Sequence, residues 1–265
     1  MSSCTPIMGL KAIRQSVPEI RKMNFMPSRS LVGSCPPKLV IFDFDGTLAE
    51  TEILVAEIIS AKLTLLGFDV AAHAVSSALS GAAKEQDQPL LEALIRSRLP
   101  EGFIEDVRID WRAAISSGVV PTRGAVDALE GLPIPYCIAS NASRPDLIHR
   151  MRSAGLLRLV GPRFFSSDDV GLRKPDPSVF LLAAEVMGVE PDECLVIEDS
   201  SVGLEAARRA HMRSCAFVGG KHHSPQMQGE LRMFGPDLVI SDLSELKLLL
   251  TEICGSSALA HPASL

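Results

Sequence analysis

No stretch of the 265-residue chain approaches the roughly 18 consecutive apolar residues that a membrane-spanning helix needs. No membrane partner is therefore expected, and the positive mean hydropathy of +0.22 reflects buried strands and alanine-rich helices. None of the six cysteines stands in a Cys-x-x-Cys pair. Cys137, Cys194 and Cys215 fall inside strand-like runs, where a free thiol acts as a small buried hydrophobe, so the expected setting is reducing and cytoplasmic. Large polar-tipped aromatics are limited to Trp111 and Tyr136, and no basic-aromatic interleaving exists to stack bases. The net charge is −6; residues 1–36 hold five basic residues against one acid, leaving an acidic body, so nucleic acid is not an expected partner.

What is present is an ordered set of four short polar segments: Asp43-Phe44-Asp45-Gly46-Thr47, Ser140-Asn141, Lys174-Pro175 and Glu198-Asp199. The first, second and fourth follow apolar runs beginning at Lys38, Tyr136 and Cys194. This places them at the carboxyl ends of parallel strands, where open α/β sheets bind ligands. The residue types suit Mg²⁺-assisted phosphoryl transfer. A carboxylate attacks phosphorus only when its own charge and that of the phosphate are neutralised, which calls for a divalent cation and a lysine beside it. Asp43 is the expected nucleophile, and Asp45, turned toward the same side by Gly46, the expected acid and base. Ser140 and amides near Asn141 would donate to the phosphoryl oxygens, with Lys174 balancing charge. Asp43, Asp45 through its backbone carbonyl, Asp199 and neighbouring Glu198 make the expected oxygen ligand set for Mg²⁺.

These motifs resemble the haloacid dehalogenase superfamily over about residues 37–250. The segments GLRKPDPSVF from Gly171 and VIEDSSVG from Val196 look like the branch containing β-phosphoglucomutase and small sugar-phosphate phosphatases. The resemblance implies a phosphatase of small phosphorylated metabolites, sugar phosphates or phosphorylated sugar acids first, with Thr47, Asn141 and Lys84 at the substrate. Lys84, in a Gly81-Ala82-Ala83-Lys84 turn, is expected to meet a carboxylate or phosphate as a point charge. Rivals follow from the same family. Dehalogenases lack an acid matching Asp45, as do the phosphonoacetaldehyde hydrolases, in which a lysine at the Lys84 position forms an imine. The mutases carry a histidine where this chain has Val55. A non-catalytic binding protein on this scaffold is the remaining alternative, weakened because every catalytic residue type is retained.

Periodicity and stop signals give the organisation. Helices are expected over Thr51–Leu66, Ala71–Leu79, Leu90–Arg98 and Ile104–Ser117, with Gly67 and Gly118 as stops. Alternating helix and strand resumes from Ala125, with a capping-box-like start at Ser143. The fold class expected is α/β: a Rossmann-like, doubly wound parallel sheet (37–49 and 122–250) with a small all-helical cap domain (50–121) inserted after the first strand. Residues 1–36 read as an N-terminal extension, whether disordered arm, targeting segment or upstream start; 251–265 read as a tail. The expected state is a monomer or weak homo-oligomer. His222-His223 read as a solvated loop, His73, His149 and His211 as helix residues, and Asp168-Asp169 as a helix or turn cap.

Overall fold

The apolar run LVIF forms β1 (Leu39–Phe42), and similar runs form β2 (Tyr136–Ser140) and β4 (Cys194–Glu198), every residue of all three being buried. Strands hydrophobic on both faces require helices on both faces. The computed structural model, which describes residues 36–80 and 86–250, shows this arrangement. With β3 (Phe164–Ser166), β5 (Arg213–Phe217) and β6 (Leu238–Ile240) they build one six-stranded sheet of order β3-β2-β1-β4-β5-β6. All five pairings are parallel. Alternate residues face opposite sides. Val40, Phe42, Ile138 and Ile197 pack under α5 (Ala125–Gly131) and α6 (Arg144–Ser153), whereas Leu39, Ile41, Ala139 and Val196 pack under α8 (Ser178–Met187) and α9 (Ser201–Arg209). The core is a doubly wound Rossmann-like sheet, as its alternation implied.

Strand order reverses at β1, whose neighbours are β2 and β4, and this switch point is where such sheets bind ligands. Register makes it a site. Phe42 pairs with both Ile138 and Ile197, so Asp43, Ala139 and Glu198 emerge at one level.

Between β1 and β2 the chain forms α1 (Thr51–Leu65), α2 (Ala72–Leu79), α3 (Asp87–Ile95) and α4 (Phe103–Ser117). No strand interrupts them among the described residues. They enclose their own apolar cluster, with Ala56, Ile59 and Leu63 at helical spacing on α1 against Val75, Leu91, Phe103 and Val107. Entry and exit lie side by side: the Glu50 amide donates to Val120 O at 3.0 Å, and Ala49 bridges to Pro121.

Two helices lie outside the sequence expectation, the four-residue α7 (Leu157–Val160) and α10 (Pro225–Met233), the latter capped by the Ser224 hydroxyl, which accepts from the Met227 amide. His73 and His149 sit on α2 and α6 as expected, but His211 does not sit on a helix. It follows α9 at φ 57°, its amide donating to Arg208 O in a left-handed closing turn that usually carries glycine, the stop signal missing there. No described helix is long and apolar enough to cross a membrane. Lys84, residues 1–35 and the tail from 251 lie outside the described residues.

Candidate active site

The site begins where β1 ends. The Asp43 amide donates to Ile197 O at 2.9 Å, extending the ladder one residue, and the chain then turns, Leu48 and Ala49 amides both donating to Phe44 O. Gly46 makes this turn at φ +83°, and a Cβ there would lie 2.1 Å from Asp199 Oδ2, so only glycine fits. Gly203, in the first turn of α9, is required for a similar reason: a Cβ would meet the Glu198 carboxylate at 1.8 Å.

Lys174 is the hub. Its ammonium donates to Asp43 Oδ1 at 2.6 Å, Glu198 Oε1 at 2.6 Å and Ala139 O at 2.8 Å. Asn141 holds the segment that presents it, accepting from the Lys174 amide at 2.7 Å. Backbone carbonyls of Asn141 and Ala142 are tied by the Ser167 and Ser166 hydroxyls. Ser140, buried at the end of β2, accepts from the Ala142 amide, which leaves its own hydroxyl proton free to donate. Glu198 also accepts from the Ser200 hydroxyl at 2.9 Å. Asp199 accepts from Thr47 on one oxygen at 2.8 Å and lies 3.0 Å from His222 Nε2 on the other.

Asp43, Glu198 and Asp199 are thus three buried carboxylates against one ammonium. Burial pushes the Asp43 pKa well up, with Lys174 opposing and the nearby carboxylates adding. Glu198 is raised by burial too. Burial works against the charge on Lys174, but Asp43 and Glu198 outweigh it and keep it protonated. The cluster lacks about two positive charges, and ligand oxygens of the three acids lie within 4.8 Å of one another. A hard divalent cation fits this donor set.

Asp45 has a separate environment. Thr51, the first residue of α1, donates to its Oδ1 at 2.7 Å, and Arg150 pairs with its Oδ2 while stacking 4.5 Å over the Trp111 ring of α4. Arg150 was absent from the sequence expectation. The available signal was a basic residue in the apolar stripe of α6, between the buried Leu147 and Met151. Asp168 and Asp169 are caps as expected, Asp168 accepting from the Arg144 amide and Asp169 closing the capping box on Ser166.

The histidine pair overturns its expectation. His222 and His223 are buried, 4% and 9% exposed, not a solvated loop. The reason lies in the two preceding glycines: a Cβ on Gly219 would lie 1.9 Å from Ser241 O, and one on Gly220 would lie 2.6 Å from the His222 ring. Without side chains there, the loop folds onto β4, and His223 Nε2 donates to Asp199 O at 2.8 Å. Burial lowers the pKa of both rings; Asp199 outweighs it for His222, which ends raised, while His223 stays lowered.

A family model for haloacid dehalogenase-like hydrolases matches residues 37–211, and the chain belongs to that family. It is an enzyme of the hydrolase class. It is 24% identical over 74% of its length to a 6-phosphogluconate phosphatase of Escherichia coli, covering 89% of that protein. Identity reaches 30% over 64% of the chain with a phosphorylated carbohydrates phosphatase of Thermotoga maritima, 80% of which is covered. A crystal structure of a family hydrolase from Deinococcus radiodurans, with bound phosphate and sodium, superposes with a TM-score of 0.76 at 28% identity, over 87% of this chain and all of that one. Four Arabidopsis thaliana relatives are longer, and the chain spans half or less of each.

Proposed function

We propose that the protein is a Mg²⁺-dependent phosphatase of small phosphorylated metabolites, sugar phosphates or phosphorylated sugar acids first, working through a phosphorylated Asp43. The observation that carries this is Lys174 bridging Asp43 and Glu198 in a cluster short of two positive charges. Phosphatase relatives acting on phosphorylated carbohydrates support the substrate class.

Asp43, Asp199, Glu198 and the Asp45 carbonyl would hold the cation, which supplies charge neutralisation between the nucleophile and the phosphoryl group. Asp43 attacks phosphorus while Lys174 offsets charge on both. Ser140 and the amides after it donate to phosphoryl oxygens. Asp45 gives a proton to the departing alkoxide and takes one from the water that cleaves the acyl phosphate, restoring both carboxylates. The α1–α4 insertion acts as the cap that excludes bulk water, and Lys84 in it meets a distal anionic group. Val55 in place of a histidine favours release to water over return to a sugar. A cytoplasmic, monomeric or weakly self-associating enzyme is part of this reading; the buried thiols Cys137, Cys194 and Cys215 are free, as a reducing compartment keeps them.

The test is a panel of phosphorylated metabolites incubated with purified protein and Mg²⁺, scored by phosphate release. Turnover of sugar phosphates is expected. Failure to release phosphate from any ester would sink the proposal.

A further inference from the structure

Asp199 is the one residue common to two groups of potential ligands. On one side it joins Asp43 and Glu198, an all-oxygen set; on the other it joins His222 and His223, with ligand atoms again within 4.8 Å of one another. The two groups share only Asp199. His222 Nε2 stands 3.0 Å from Asp199 Oδ2, the separation of two donors each about 2.1 Å from one ion and at right angles across it. His223 Nε2 donates its proton to the Asp199 carbonyl at 2.8 Å, which leaves Nδ1 as that ring's lone-pair nitrogen, and the two rings lie 3.9 Å apart.

A hydrogen-bonding role for Asp199 accounts for only part of this. One imidazole suffices to satisfy Oδ2. The second ring leaves its own Nδ1 buried without a hydrogen-bond partner, as is Nδ1 of the first, and a buried polar atom left unpaired is costly unless something binds it. Two ring nitrogens beside a carboxylate are, in contrast, a donor set that borderline divalent ions take in preference to Mg²⁺.

We propose that Asp199, His222 and His223 form a second cation site, selective for ions such as Zn²⁺ or Cu²⁺, adjoining the carboxylate cluster. An ion there engages Asp199 Oδ2, so it withdraws that carboxylate from the neighbouring site and inhibits. This last consequence rests on the phosphatase reading; binding itself does not.

The experiment titrates the purified full chain with Zn²⁺ under saturating Mg²⁺, by competition with a chromophoric chelator. About one equivalent is expected to bind in wild type and in Asp43→Asn, and His222→Gln/His223→Gln is expected to weaken it at least tenfold. Equal affinity in wild type and the double variant would overturn the site, as would no Zn²⁺ binding at all. Should the double variant not fold, pulsed electron paramagnetic resonance of Cu²⁺-loaded wild type decides. Coupling to the remote nitrogen of a coordinated imidazole is expected, and its absence overturns the proposal. Zn²⁺ bound through nitrogen by a protein that releases no phosphate would sink the phosphatase reading and leave this site standing.

Discussion

Asp43 and Asp45 are two residues apart and are held by different parts of the molecule. Every partner of Asp43 comes from the sheet edge: Lys174 on its carboxylate and Ile197 on its amide. Asp45 is held by Thr51, which opens the helical insertion, and by Arg150, whose guanidinium lies on Trp111 of α4. One carboxylate is fixed to the core alone; the other is held jointly by the core helix α6, through Arg150, and by the insertion, through Thr51 and the Trp111 ring under the guanidinium. The difference suits the roles proposed for them. A nucleophile must occupy the same place in both half-reactions, whereas an acid that becomes a base benefits from surroundings that change between them.

The largest break in this contrast comes from Asp43→Asn. The amide keeps the shape but is a poor nucleophile, so kcat should fall by on the order of a thousandfold or more while the fold persists. Steady-state phosphate release and circular dichroism measure the two parts. Activity above a few per cent of wild type would remove Asp43 from the nucleophile's role.

Cation removal tests the core side next. Burial raises the Asp43 pKa, so the stability tied to its protonated form is present below its ordinary value of 3.8 and is lost as pH rises through the raised value. The chelated protein should therefore be less stable near neutrality than in mild acid. Mg²⁺ at a hundred times its Kd should restore about 2.7 kcal/mol, or ~5 °C in Tm, at pH 8. A smaller gain is expected at pH 5. A Tm gain larger at pH 5 than at pH 8 contradicts the charge deficit argued for the cluster.

The same division explains what was legible beforehand. The core half was readable because three of its four polar segments directly follow an apolar run, and strand order then forces those ends together. The sheet and the meeting of Asp43, Glu198 and Asp199 follow from that, Lys174 was implied by the charge that a nucleophilic carboxylate needs beside it, and the four insertion helices followed from periodicity and glycine stops. Of Asp45's two partners, Thr51 is local, six residues on, whereas Arg150 was hidden because it lies 105 residues away and rests on Trp111 of another helix. His222 and His223 were misread because loop chemistry suggests solvent, while the space left by Gly219 and Gly220 exists only once β4 and β6 are in place.

Arg150 gives a smaller but more informative effect. Arg150→Ala should lower kcat about 10- to 100-fold, roughly 1.4–2.7 kcal/mol, by leaving Asp45 with one partner. Arg150→Lys should recover only part of this, since an ammonium neither forks onto the carboxylate nor stacks flat on indole. Trp111→Leu should be worth less than Arg150→Ala, and the double variant no more than Arg150→Ala alone, if the ring acts only through the guanidinium. Additive losses in that cycle would detach the insertion from Asp45.

Thr51 should produce the smallest change. It is buried at the start of α1 and donates one hydrogen bond, 2.7 Å long, to a carboxylate that Arg150 also holds. Thr51→Val keeps the volume and removes the donor, so the cost is that of one charge-assisted bond, partly replaced by Arg150: about 1 kcal/mol, or about fivefold in kcat. Thr51→Ser retains the hydroxyl and should stay near wild type. If the hydroxyl only shapes the helix start, valine and serine should instead alter Tm in parallel and leave kcat alone. If Thr51 links the insertion to the acid, valine lowers kcat with KM nearly unchanged, and that loss disappears in an Asp45→Asn background, where no carboxylate remains to be positioned.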